Sequence, residues 1–220
     1  MFAVIDPRME QGTRWLHSVL SVSFEVKPLA GDASFRRYFR VTSKDTSWVL
    51  MDAPPEKEDV SPFLQVRAWL EQAGLRVPHC VALDQPQGFL LLEDFADATW
   101  AICRTQKLRL EPLFENALEQ LHRLQASQPS CALPDFDVAR MQRECDLYLD
   151  WYLPKVVNEV PSEAMRERFH QALLPSLRLL AALPKVPVHL DFHSRNLMLP
   201  TDGLPLGIID FQVAVSGRVT

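Results

Sequence analysis

Glycine is scarce in this 220-residue chain, seven residues against seventeen prolines. The glycines stand at 12, 31, 74, 88, 203, 207 and 217, so no three form G-x-G-x-x-G and none precedes a Lys-Ser or Lys-Thr pair. A dinucleotide fingerprint and a Walker-type phosphate loop are therefore excluded, because each needs glycines at fixed spacing to bring backbone N–H groups onto phosphate. Cysteine is sparse too. Cys80, Cys103, Cys131 and Cys145 contain no C-x-x-C pair to nucleate a zinc site, and they read as small hydrophobes. No run reaches the roughly 18 apolar residues of a membrane helix. The N-terminus, MFAVIDPRMEQG, has too little apolar sequence for a secretory signal. Basic residues are outnumbered, 23 Lys and Arg against 28 Asp and Glu, which argues against holding a nucleic-acid backbone. These absences lead to the expectation of a cytoplasmic protein with neither a nucleic-acid nor a membrane partner.

What is present has ordinary globular proportions, 47% hydrophobic and 23% charged. Residues 23–29 and 35–42 flank the turn-forming cluster Gly31-Asp32-Ala33-Ser34, which predicts a hairpin, and 47–51 predicts a third strand. Ser61-Pro62 reads as an N-cap and first-turn proline of a helix that Gly74 closes. Short strands are expected at 80–83 and 89–92. From about residue 98 the period becomes helical, with helices expected at 111–126, 138–153 and 163–183. Strands return at 186–189, 196–199 and 206–210. A strand-rich segment followed by a helical one predicts an α+β chain of two lobes, 1–95 and 96–220, with the boundary near Glu93–Asp97. The acidic stretch Glu56–Asp59 reads as a solvated loop, and the five tryptophans as core or lobe-interface residues.

The chemistry concentrates in 188–211, VHLDFHSRNLMLPTDGLPLGIIDF. Taking Gly203 as the centre of a hairpin, Asn196 and Asp210 are equidistant and should face each other beside Asp191. An amide oxygen and a carboxylate with vacant positions around them suit a Mg²⁺ shared with substrate phosphates. A second carboxylate that is not needed as a ligand is free to take a proton from a hydroxyl. This is the phosphoryl-transfer arrangement H-x-D-x-x-x-x-N followed by a metal-binding Asp, carried here by His189, Asp191, Asn196 and Asp210. His189 and His193 read as supports that orient the loop. Two rival readings stand beside it: a His189-x-Asp191-x-His193 metal cluster, and a kinase-shaped module that binds nucleotide without turnover.

The segments 31–41 (GDASFRRYFRV), 48–56 (WVLMDAPPE), 90–99 (LLLEDFADAT), 189–198 (HLDFHSRNLM) and 209–212 (IDFQ) resemble the aminoglycoside phosphotransferase and choline kinase superfamily. Within it they are most similar to the bacterial cell-wall-recycling kinases that phosphorylate N-acetylmuramate and N-acetylglucosamine at the anomeric hydroxyl. The resemblance implies a kinase-like two-lobe fold and transfer of phosphate from ATP, with Mg²⁺, to a small sugar. It makes Asp191 the base and Asn196 and Asp210 the Mg²⁺ ligands. Gly31, Asp32, Ala33 and Ser34 would cover the ATP phosphates, and the backbone of Leu92, Glu93 and Asp94 would pair with adenine. It also exposes departures. Strand 47–51 lacks the lysine that kinases use on the α- and β-phosphates, and helix 61–73 offers only Glu71 as a partner. Arg36 and Arg37 are the candidates by position to meet that charge, or they are simply arginines of an exposed strand. Leu190 stands in place of an arginine, and Val213 in place of an acidic residue. The family continues into further helices where this chain ends, so an incomplete second lobe with uncovered apolar surface is expected.

Overall fold

A computed structural model of the chain describes residues 6–29, 35–105, 109–203 and 205–218. Five strands form one antiparallel sheet: β1 (Glu25–Pro28), β2 (Arg37–Thr42), β3 (Ser47–Asp52), β4 (Cys80–Asp84) and β5 (Phe89–Glu93). Their spatial order is β1-β2-β3-β5-β4. Alternation along each strand splits the side chains between two faces. Phe39, Val41, Leu50, Phe89 and Leu91 pack on helix α1 (Pro7–Val19) through Trp15 and Leu16. Met51, Leu90 and Leu92 pack on helix α2 (Ser61–Gln72) through Phe63, Val66, Trp69 and Leu70.

Helix α1 corrects the expectation of strands with one helix in this half. Its signal is Asp6-Pro7: the Asp6 carboxylate caps the first turn, accepting from the backbone N–H of Arg8 at 3.0 Å and Met9 at 3.4 Å, and proline suits N1. Helix α2 starts one residue earlier than expected. Val60 is its N-cap and Ser61 is already helical, with the Ser61 N–H donating to Asp59 at 2.8 Å. The other end closes as expected. Gly74 adopts φ +78°, and the Gly74 and Leu75 N–H groups return to Glu71 and Leu70, a Schellman closure that favours glycine at this position.

The second half holds α3 (Trp100–Thr105), α4 (Glu111–Ala126), α5 (Val138–Leu147) and α6 (Glu163–Ala181). It adds two small antiparallel pairs, β6 (Lys185–Val188) with β9 (Val215–Arg218) and β7 (Leu197–Met198) with β8 (Gly207–Ile208). Helix α5 does not end at Pro154. It passes into a π-helical stretch, Tyr148–Val157, that contains this proline and closes at Asn158 with φ 62°. The hydrophobic core is shared between the halves: the Met51, Phe63 and Leu90 cluster continues into Leu113, Ala117, Leu124, Leu197, Ile208 and Phe211. Trp15 and Trp69 are core residues, whereas Trp151 is 64% exposed, and Val156, Val160 and Leu179 are exposed as well. No helix among the described residues is long and apolar enough to cross a membrane.

Candidate active site

The β7–β8 hairpin brings the polar residues of 189–210 together, in a register one residue away from the expected one. Leu197 pairs with Ile208, so Asn196 stands opposite Ile209, and the Ile209 N–H donates to the Asn196 carbonyl at 3.1 Å. The turn is centred just before Gly203 rather than on it. Asp210 nevertheless reaches Asn196 because its own φ is 63°, which turns the chain back towards the hairpin end. The Asn196 amide Nδ2 donates to the Asp191 carbonyl at 3.1 Å and faces Asp210 Oδ2 at 3.4 Å. Gln212 donates to the other oxygen, Asp210 Oδ1, at 2.6 Å. Four non-glycine residues have positive φ among those described: Ala96, Asn158, Leu190 and Asp210. Leu190 and Asp210 adjoin the clustered polar groups and Ala96 lies at the edge of the cleft, where stored backbone strain is commonly found at working sites.

The hairpin is seated from below. Gln120 of α4, 3% exposed, donates to the Leu206 carbonyl, and Asn116 accepts from the Leu206 N–H at 2.8 Å. Gly207 lies against the Phe95 ring, where a Cβ would stand 2.3 Å from a ring carbon. Only glycine permits that approach, which sets the hairpin against the segment following β5.

His189 is 3% exposed, and its Nε2 bonds the Ile209 carbonyl at 3.0 Å. Burial pushes its pKa below the ordinary value, outweighing the opposing pull of that bond and of the Asp210 and Asp191 charges. A neutral ring donating from Nε2 fits this environment. Asp191 and His193 are exposed. The His193 N–H donates to the Asp191 carbonyl at 2.9 Å, and its Nδ1 accepts from the Arg195 N–H at 3.3 Å. His189, Asp191 and His193 therefore do not converge. Among the described residues, no group of three or more His, Cys, Asp or Glu side chains is placed to hold a metal, which removes the support for the metal-cluster reading. The pair Asn196–Asp210 does fit a hard cation that takes its remaining oxygens from phosphates and water.

A cleft of about 300 Å³ opens beside this pair. Its walls are Tyr38, Arg40 and Val49 from the sheet, Phe63 from α2, Leu92–Ala96 along one edge, and Asn196, Met198 and Ile209–Gln212 from the second half. Leu92, Glu93 and Asp94 line it, with both acidic side chains engaged in ion pairs. Glu93 takes Arg76 at 2.6 Å. Asp94, 2% exposed, takes Arg40 at 2.7 Å, and Arg40 also reaches Asp97 at 2.9 Å. Hydrogen bonds to these carboxylates hold Arg40 above its ordinary pKa although burial pulls it down. Tyr38, Arg40 and Gln212 were not singled out by the sequence. The strand alternation 36, 38, 40 carries the signal for the first two, and the contact of Gln212 with Asp210 has none.

The two arginine candidates separate. Arg37 points to the α1 face, where it is bound by Asp52 and Asp6, so it does not serve the cleft. Arg36 has the parity of Tyr38 and Arg40, and its guanidinium lies 5.9 Å from the Phe63 ring centre. Gly31, Asp32, Ala33 and Ser34 lie outside the described residues.

An antiparallel sheet and a helical half meeting at a cleft that ends in Asn and Asp define a kinase-like fold. Solved structures with that fold superpose on the chain. A streptomycin–ATP–APH(2")-IIa ternary complex matches with TM-score 0.63 at 16% identity, over 99% of this chain and 74% of that one. Choline kinase LicA from Streptococcus pneumoniae matches with TM-score 0.65 at 15% identity, over 96% and 70%. Residues 25–220 match the phosphotransferase enzyme family (APH), and the chain belongs to that family. Among curated relatives, the N-acetylmuramate/N-acetylglucosamine kinase of Pseudomonas aeruginosa is 38% identical over 98% of this chain. That of Neisseria meningitidis is 36% identical over 94%. The chain spans 66% and 62% of these relatives' lengths.

Proposed function

We propose that the chain binds ATP in the cleft and transfers its γ-phosphoryl group to the anomeric hydroxyl of an N-acetylated amino sugar, N-acetylmuramate or N-acetylglucosamine. The reaction would serve cytoplasmic peptidoglycan recycling. The observation that carries the transfer reading is the meeting of Asn196 and Asp210 in the wall of the cleft, with Asn196 bonded to the backbone of an exposed Asp191. The names of the relatives at 36–38% identity support the acceptor. Adenine would lie between Val49 and Met198–Ile209, with the backbone at 92–94 along its edge. The Glu93 and Asp94 side chains are held by arginines and the Glu93 N–H donates to the His79 carbonyl at 2.8 Å, so the chain there is fixed, and recognition of the base would fall to the backbone groups of this edge that the sheet does not use. Asn196 and Asp210 would hold Mg²⁺, with Asn196 presenting its amide oxygen. When bound, the metal neutralises charge developing on the triphosphate. Asp191 accepts the hydroxyl proton as the sugar oxygen bonds to the γ-phosphorus, the bond from that phosphorus to the ADP oxygen breaks, and ADP leaves. His189 and His193 brace the loop.

The test is a phosphorylation assay over N-acetylmuramate, N-acetylglucosamine, choline and an aminoglycoside, with Asp191→Asn run alongside. Phosphate on the amino sugars, reduced about 10²–10⁴-fold in the variant, is the expected result. Phosphate on choline or the aminoglycoside alone would overturn the acceptor. Undiminished turnover in Asp191→Asn would overturn the base. ATP binding without turnover on any acceptor would favour a nucleotide-binding module.

A further inference from the structure

Resting on the reading of the cleft as an ATP site, we infer that Arg36, positioned by Glu58, is the cation that grips the triphosphate in place of the lysine absent from β3. The β3 side chains on the cleft face are Ser47, Val49 and Met51, and the Ser47 hydroxyl donates to Asp94 at 2.7 Å. Met51 is fully buried among Phe63 and Phe211, so this strand brings no positive charge to the phosphates. A buried triphosphate with no cation beside it would carry a large desolvation cost. The neighbouring strand can supply one. Arg36 precedes β2 on the same alternation as Tyr38 and Arg40, both of which line the cleft. It is 8% exposed, which is exceptional for an arginine at the end of an edge-proximal strand. Its guanidinium lies over Phe63, and the Phe63 ring stacks at 5.0 Å on Phe211, the residue after Asp210. Phe63 and Phe211 both line the cleft, so the guanidinium stands directly behind its wall, beside the residues that flank Asp210.

Glu58 gives the arrangement its rigidity. The sequence places it in an acidic stretch that reads as solvated, yet its side chain is only 18% exposed and bonds Arg36 Nη2 at 2.5 Å. A buried guanidinium without a carboxylate would be strongly destabilising. With one, it is held in a fixed plane, and its five-donor fork can serve a carboxylate and a phosphate together. The other nearby arginines have different tasks: Arg37 holds α1 on the opposite face, and Arg40 holds the 94–97 segment. Glu58 is a positioning residue, acting through Arg36.

Calorimetric titration of the full chain with Mg·ATP and with adenosine tests this on wild type, Arg36→Lys, Arg36→Met, Glu58→Gln and the double variant Arg36→Met/Glu58→Gln. The double variant leaves no lone buried charge and so guards against misfolding. Arg36→Met and the double variant should weaken Mg·ATP about 10- to 100-fold with adenosine affinity unchanged. Glu58→Gln should show a smaller loss of the same selectivity, and Arg36→Lys should recover part of it. Unchanged Mg·ATP affinity in Arg36→Met would overturn the inference, as would equal weakening of both ligands in the double variant. Wild type that binds both ligands, with no phosphate-selective loss in any variant, would leave the ATP reading standing and remove this one. Wild type that binds neither would overturn both.

Discussion

The protonation of His189 is set by where the chain buries it. Its ordinary value near 6.5 is lowered because burial penalises the imidazolium, while the Ile209 carbonyl, Asp210 and Asp191 pull the other way and His193 adds to the lowering. The unfolded imidazole therefore takes up a proton at a higher pH than the folded one. Between the folded value and about 6.5 the unfolded state binds more protons, so this contribution to stability is full above that pH and is lost as the pH falls below it. Urea denaturation should give a midpoint that declines from about pH 7.5 to about pH 5.5. In His189→Gln, which keeps a donor for Ile209 but cannot titrate, the decline should be shallower. Parallel declines in the two proteins would mean that His189 is not responsible. Residue types alone pointed to Asp191, Asn196 and Asp210, because few chemistries use them at this spacing. They could not separate Arg36 from Arg37, adjacent residues that the sheet sends to opposite faces.

Helix α1 is fastened to the sheet by an ion-pair ring. Asp52 on β3 is 1% exposed and accepts from Arg8 Nε at 3.0 Å and from Arg37 Nε at 3.0 Å. Arg37 also bonds Asp6, the cap of the same helix. Replacing Asp52 leaves two arginines facing each other. Because both retain some access to water, the cost should fall below the 3–5 kcal/mol of a broken, fully buried pair, at about 2–3 kcal/mol. Chemical denaturation of Asp52→Asn checks this, and a loss below about 0.5 kcal/mol would mean the ring contributes as little as a surface pair. The helix carries local signals in Asp6-Pro7 and in the spacing of Met9, Trp15 and Leu16, which were not singled out from the sequence. Its docking carries none, because Arg8, Arg37 and Asp52 are far apart in sequence and meet only through β2–β3 register, which pairs Arg37 with Asp52.

At the scale of the whole molecule, the cleft takes walls from both halves, so a ligand seated there should stabilise them together. A ligand at about 100 times its dissociation constant adds about 2.7 kcal/mol, or about 5–10 °C in Tm for a chain of this size. Mg·ATP should raise the melting temperature by this order in wild type. Asp210→Ala should lose most of the dependence on Mg²⁺ while keeping the shift given by adenosine. Equal Mg²⁺ dependence in the two proteins would remove Asp210 from the metal site.

The sequence by itself determined most element positions after α1, because alternation, helical period, prolines and the glycine at 74 act locally. It also set Asp191, Asn196 and Asp210 within one short stretch, whose spacing limits where they can go. Tertiary structure alone decided the rest. The hairpin register depends on how Gly207 meets Phe95 and how Gln120 holds Leu206, and the sequence symmetry about Gly203 missed it by one residue. The faces of Arg36 and Arg37, and the burial of Glu58 in a stretch that reads as solvated, depend on which strands and helices pack against them. Such contacts join residues distant in the chain, and no local pattern records them.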